Sequence, residues 1–160
     1  MTSVHHIIPP ALQGVYDNWH FAPAVVADGL IFCSGIIGTS PDGEPPAENG
    51  LAGAQATTVE PSSELNALLA VRDPEAQFAT AFEALRAILR AAGADLSDLV
   101  EITTYHVDIS RHMAVFTQVK DRYILPPYPA WTAIGVSELI VPGGLMEIRA
   151  VAAAPRSRAR

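Results

Sequence analysis

The sequence predicts an α+β fold in which a single β-sheet carries two helices on one face. Two observations support this class. Apolar, partly β-branched runs recur along the chain, and two segments with helical spacing of apolar residues separate them in the order β-β-α-β-α-β-β. With 160 residues, 49% of them hydrophobic, the chain can bury one core, so we treat residues 1–160 as a single domain.

The first two strands are predicted to form a hairpin. Residues 22–26 and 30–37 are apolar, and Ala27-Asp28-Gly29 between them supplies the turn. Residues 1 to about 20 contain Pro9-Pro10 and are predicted to be an irregular lead-in. Residues 45–72 show no clean period and are predicted to be an insertion loop, with a mobile surface loop favoured over a functional one.

The first helix is predicted to begin after Asp73, which can cap it, with Pro74 at the first helical position. Gly93 is the predicted end. The apolar positions at helical spacing are Phe78, Phe82, Leu85 and Leu89. The second helix is predicted to begin near Ser110 and to end before Pro126.

The remaining strands are predicted at residues 99–109, 131–136 and 145–153, and residues 155–160 are predicted to be a flexible tail. The helices bury one side of such a sheet. The other side still carries apolar residues, so we expect the chain to form an oligomer.

Composition excludes several classes of function. A net charge of −7 argues against nucleic acid as a partner. The single cysteine fits a reducing compartment, and neither a membrane-spanning apolar run nor a signal peptide is apparent, so we expect a cytoplasmic protein. The histidines at positions 5, 6, 20 and 112 form no ligand pattern, and a metal site is not expected.

Four segments in order carry a family resemblance. Residues 32–35 read FCSG, residues 105–108 read YHVD, residues 128–136 read YPAWTAIGV, and residues 142–152 read PGGLMEIRAVA. Together they resemble the RidA/YjgF family of small imine deaminases, and they look closer to its YjgH-like branch. The match covers most of residues 13–153, apart from the predicted insertion.

The resemblance implies a chorismate-mutase-like fold with a mixed sheet. It also implies a homotrimer whose sheets form a central barrel, with a cleft for a small-molecule ligand between each pair of neighbouring subunits. Substrates of the deaminating members are imines or enamines such as 2-aminoacrylate, which water hydrolyses to release ammonia. No cofactor is implied.

The resemblance also assigns roles to residues. Glu147 matches the glutamate that positions the attacking water, and Ser34 with Gly35 matches the serine-glycine turn of the substrate site. Phe21 stands at the position of the aromatic lid. Tyr128 could orient the substrate or pack against a neighbour.

Trp131 departs from the pattern of the deaminating members, which have an arginine there for the substrate carboxylate. An indole has one N–H donor and cannot form a bidentate salt bridge. Trp131 could line a pocket for a flat or uncharged substrate, or it could fill the space of the arginine and close the site. Arg149 shares a strand face with Glu147 and could replace the missing cation, although a weak Glu147–Arg149 pair is the commoner arrangement.

Two further side chains have both a functional and a structural interpretation. His106 could shuttle protons, but a buried structural histidine is the commoner case. Cys33 could be a nucleophile if a base lowered the pKa of its thiol, but a small buried apolar residue is the commoner case.

We therefore expect a hydrolytic deaminase of imines, enamines or related small metabolites that acts poorly on simple 2-iminocarboxylates. The alternative is a non-catalytic small-molecule-binding or regulatory trimer that uses the same cleft. Ribonuclease activity, known for some relatives, fits the net charge of −7 poorly.

Overall fold

The computed structural model describes residues 3–46 and 69–156 of the chain. In chain order, their helices and strands are β1 (Val4–Ile7), α1 (Gln13–Trp19), β2 (Ala24–Ala27), β3 (Leu30–Ile37), β4 (Thr39–Ser40), β5 (Leu69–Ala70), α2 (Pro74–Ala91), β6 (Leu99–Val107), α3 (Ile109–Tyr123), β7 (Ala130–Val136) and β8 (Met146–Ala153). The predicted α+β class is confirmed. The described residues contain three α-helices, however, rather than the two that were predicted.

The main sheet has six strands in the order β1-β2-β3-β8-β6-β7. Neighbouring strands are antiparallel except for β6 and β7, which are parallel. Parallel neighbours need a long crossover connection, and α3 provides it between these two strands. The sheet is therefore mixed, with β7 as one of its edges.

The prediction of an irregular lead-in over residues 1 to about 20 was wrong, because β1 and α1 lie there. β1 consists of four residues that owe their conformation to pairing with β2, from Val4 opposite Ala27 to Ile7 opposite Ala24. Only Val15 of α1 is buried, so neither element produces a clear apolar period in the sequence.

The predicted hairpin and the first predicted helix are confirmed. Asp28 and Gly29 both have positive φ, at 50° and 77°, as the two central residues of a tight hairpin turn require. At the start of α2, the Asp73 carboxylate accepts the N–H of Ala76 at 2.9 Å. Gly93, just after the helix, has φ of 82°.

The core lies between one face of the sheet and the helices. Side chains of β8 alternate strictly: Met146, Ile148 and Ala150 are buried, and the residues between them point to the other face. That other face, which we call the open face, carries apolar side chains that are exposed in the single chain. Phe32 is 39% exposed and Ile134 is 41% exposed.

Most of the predicted insertion, residues 47–68, and most of the predicted tail, residues 157–160, lie outside the described residues. Where the description resumes, β5 pairs with β4 in a separate two-stranded sheet. Arg72 forms an exposed ion pair of 2.7 Å with Glu44 across the base of the insertion. Over residues 3–46 and 69–156, no helix is both long and apolar enough to cross a membrane.

Candidate functional site

An irregularity in β3 builds the first half of the candidate site. The register against β8 shifts between Cys33 and Ile36, so Ser34 and Gly35 lie in a bulge. The Ser34 hydroxyl donates to the carbonyl of Ala22 at 2.6 Å, and its backbone N–H donates to the carbonyl of Pro23 at 3.0 Å. These bonds fix Ala22 and Pro23, which follow Phe21 just before β2, against the bulge.

Glu147 projects from β8 over this bulge. A Cβ atom added to Gly35 would overlap the Oε1 atom of Glu147, so the carboxylate occupies the space that the missing side chain leaves. Burial raises the pKa of Glu147, and no ion pair with a described residue opposes that shift. We call Phe21, Ser34, Gly35 and Glu147 the acid cluster.

Arg149 lies on the same face of β8 as Glu147, as the two-residue period predicts, but it is exposed. The ion pairs found among the described residues include none between these two side chains. Among the residues that the structure describes, the Glu147 carboxylate is thus left without a cationic partner.

Trp131 belongs to a second group of residues on the opposite face of the sheet. Its Nε1–H donates to Oγ1 of Thr104 at 2.9 Å, and its ring lies 6.0 Å from that of Phe116 on α3. The Nζ atom of Lys120 lies 4.9 Å from the centre of the indole. We call Thr104, Phe116, Lys120 and Trp131 the indole cluster.

The single chain does not bring the two clusters together. Trp131 is 40% exposed on the helix-covered face near the β7 edge, whereas Glu147 stands on the open face, two strands away. Tyr128, just before β7, is 69% exposed and Phe21 is 43% exposed. Exposed aromatic side chains on both sides of the fold are available to a partner.

His106 and Cys33 are buried on the helix-covered face. His106 is fully buried, its Nε2 atom lies 2.7 Å from Oγ1 of Thr104, and burial lowers its pKa to about 4. Cys33 is 3% exposed, and burial raises the pKa of its thiol to about 12. Their strands are separated by β8, so His106 does not stand beside Cys33 as a base. Both side chains are buried, as their structural interpretation expects.

Sequence reasoning missed Thr104 and Lys120. Thr104 shares a strand face with His106 by the two-residue period, but its contact with Trp131 depends on the parallel pairing of β6 and β7. Lys120 follows Phe116 by one helical turn, and a spacing of four on α3 was the only available signal. In the described ranges, no group of three or more His, Cys, Asp or Glu side chains could hold a metal ion.

The chain resembles known proteins in both sequence and fold. Residues 15–154 match the family described as endoribonuclease L-PSP. The chain is 29% identical over 150 residues to YjgH, a RutC family protein of Escherichia coli strain K12, and the match covers 93% of this chain and 94% of that protein.

Solved structures have the same fold. A structure of protein YjgH superposes with a TM-score of 0.70 at 27% identity, covering 96% of this chain and 98% of that one. Rv2704 of Mycobacterium tuberculosis, a member of the YjgF/YER057c/UK114 family, superposes with a TM-score of 0.68 at 23% identity, covering 95% and 100% of the two chains. The chain therefore belongs to the endoribonuclease L-PSP family, also known as the YjgF family.

Proposed function

We propose that the chain is a hydrolytic deaminase of small imines or enamines. The observation that carries this proposal is the position of Glu147, a half-buried carboxylate without a cationic partner among the described residues, set over a serine-glycine bulge. Family membership supports the same assignment.

The reaction adds water to the carbon of a C=N bond and releases ammonia, leaving a carbonyl. Glu147 would accept a proton from the attacking water, and that proton then leaves with the nitrogen. A carboxyl whose pKa is raised by burial is a stronger base than an exposed one, which suits this role near neutral pH. Ser34 donates its own proton to Ala22, so its oxygen is left to accept a hydrogen bond from the water or from the substrate N–H.

A second copy of the chain would complete the site. The acid cluster and the indole cluster lie on opposite faces of one subunit, so a ligand can meet both only where two subunits adjoin. The exposed apolar side chains of the open face, Phe32 and Ile134, favour such an assembly because leaving them in water is unfavourable. We therefore propose a homotrimer with the ligand held between neighbouring subunits.

The indole cluster is poorly suited to a carboxylate ligand. The only N–H donor of the Trp131 side chain is used by Thr104, and the Lys120 ammonium already bonds to Asp121 at 2.8 Å. Loss of a charged anchor at a desolvated site costs about 2–5 kcal/mol, which is about 30-fold to several thousand-fold in rate. The expected substrates are flat or uncharged imines rather than simple 2-iminocarboxylates.

The test is hydrolysis by the purified protein of 2-aminoacrylate and of an uncharged imine, measured as ammonia release. We expect faster turnover of the uncharged imine, with loss of both activities in the Glu147→Gln variant. Turnover that survives Glu147→Gln would refute the role of this carboxylate.

A non-catalytic binding trimer is the alternative, and the hydrogen-bonded state of the Trp131 indole favours it, because a closed site could hold a metabolite without reacting. Saturable binding without ammonia release, unchanged by Glu147→Gln, would support this alternative. Analytical ultracentrifugation tests the trimer itself, and a monomer at micromolar concentration would contradict both functions.

A further inference from the structure

A separate cleft of about 420 Å³ opens where β6 and β7 end and α3 begins. It is lined by His106, residues 108–111 and residues 135–137, and it contains no member of the acid or indole clusters. A cleft of this volume is large enough for a small metabolite.

The beginning of α3 presents two free backbone donors beside this cleft. Asp108 precedes the helix in the left-handed conformation, and its carboxylate makes no capping bond. Its carbonyl accepts the N–H groups of Arg111 at 2.9 Å and His112 at 3.2 Å. The N–H groups of Ile109 and Ser110 have no acceptor among the described residues, and the positive end of the helix dipole favours an anion there.

His106 supplies an independent indication of a ligand. The side chain is fully buried, and its Nδ1 atom has no hydrogen-bond partner within the described structure. The two ring nitrogens point to opposite sides, and Nε2 faces Thr104, which precedes His106 on the strand. Nδ1 therefore points away from Thr104, and His106 is one of the residues that line the cleft at the end of β6.

The hydrogen bonds of Thr104 are compatible with the tautomer of His106 that carries its proton on Nδ1. The Thr104 hydroxyl oxygen accepts the Trp131 indole N–H, so its own proton can be donated to Nε2 of His106. A neutral imidazole that accepts at Nε2 carries its proton on Nδ1. A buried N–H without an acceptor is costly, and a ligand oxygen would remove that cost.

Gly135 lies at the cleft, beside the first turn of α3. It is the register partner of His106 on β7, and a Cβ atom added there would come within 3.3 Å of Cγ2 of Ile109.

The charged residues of the cleft narrow the ligand class. Arg111 and Asp108 both line it, and neither forms an ion pair with another described residue. A doubly charged phosphate would meet the Asp108 carboxylate unfavourably, whereas a zwitterion satisfies both signs.

We propose that this cleft binds a small α-amino acid. Its carboxylate accepts hydrogen bonds from the N–H groups of Ile109 and Ser110 and from the Nδ1–H of His106, and it pairs with Arg111. Its ammonium group pairs with Asp108.

The proposal is tested by titrating the full-length protein with L-alanine and recording backbone amide and imidazole nitrogen NMR spectra. We expect the resonances of Ile109, Ser110, Gly135 and the Nδ1 of His106 to move together. Propionate, which lacks the ammonium group, and inorganic phosphate should each bind at least about tenfold more weakly. Stronger binding of phosphate than of L-alanine would overturn the amino-acid assignment.

Two matched variants on α3 separate this site from general effects of charge. Arg111→Gln should weaken L-alanine binding by about tenfold or more, whereas Arg122→Gln, which removes a charge from the last turn of the same helix, should leave it unchanged. Equal binding by wild type and Arg111→Gln would refute the site, as would the absence of any shift in the cleft at tens of millimolar L-alanine. Shifts confined to the acid cluster would assign the binding to the proposed deaminase site instead.

Discussion

The indole N–H of Trp131 donates a hydrogen bond of 2.9 Å to the hydroxyl oxygen of Thr104. Thr104 is fully buried under the helices, so this bond holds Trp131 on the helix-covered face of the sheet. Glu147 points to the other face, over Gly35. A ligand that contacts both Trp131 and Glu147, as we propose, would therefore lie between two chains.

Replacing the indole with a guanidinium should improve the handling of carboxylate substrates. Trp131→Arg is expected to raise the rate of 2-aminoacrylate hydrolysis by about 30-fold or more, because a charged anchor at a desolvated site contributes about 2–5 kcal/mol. Trp19→Arg is the matched control, since Trp19 is 37% exposed on α1, and it should leave the rate unchanged. An equal rate for wild type and Trp131→Arg would mean that the site lacks more than the cation.

We expect that position 35 must be glycine, because the Glu147 carboxylate occupies the space that a side chain there would need. Gly35→Ala places a methyl group where Oε1 lies, and overpacking of this kind costs about 1–3 kcal/mol in the free energy of unfolding. In a Glu147→Ala background the same change should cost at least about 1 kcal/mol less. Urea unfolding of the four proteins measures this coupling. An identical cost in both backgrounds would show that Gly35 has another purpose.

His106 should make the protein less stable in acid. Burial lowers its pKa from the ordinary 6.5 to about 4, so between these values the unfolded chain binds a proton that the folded chain does not. The contribution of this pKa shift to the free energy of unfolding is complete above pH 6.5 and is lost as the pH falls toward 4. The loss reaches a limit of about 3 kcal/mol.

Urea unfolding at several pH values, with NMR titration of the His106 imidazole, checks this expectation. His5→Gln, at an exposed position, is the control and should keep the acid dependence of the wild type. A His106 titration midpoint near 6.5 in the folded protein would contradict the prediction.

Cys33 should be inert in the folded protein. It is 3% exposed and burial raises the pKa of its thiol to about 12, so almost no reactive thiolate is present at pH 8. We expect an aromatic disulfide reagent to react at least about a hundredfold more slowly with native protein than with urea-unfolded protein. Fast reaction of the native thiol would revive the hypothesis of a nucleophile.

Local signals account for the parts of the fold that were predicted correctly. Asp73, Pro74 and Gly93 place the ends of α2 because capping and backbone geometry act within a few residues. Asp28-Gly29 places the first hairpin for the same reason. β1 was missed because its conformation depends on hydrogen bonds to β2 and not on its own mostly exposed side chains.

The candidate site was likewise predicted only where local signals apply. The face shared by Glu147 and Arg149 follows from the two-residue period of a strand, and the structure places both there. The contacts of Trp131 with Thr104 and Lys120 could not be predicted, because they require the parallel neighbour relation of β6 and β7 and the position of α3 above it.

By itself, the sequence determined the α+β class, the family and the ends of the main helices, because these depend on residue order and short-range geometry. Tertiary structure alone decided that the acid and the indole stand on opposite faces, that His106 has a nitrogen without a partner in the described chain, and that a cleft opens at the start of α3. Each of these depends on which strands are neighbours, and pairing between distant segments leaves no periodic trace in the residues themselves.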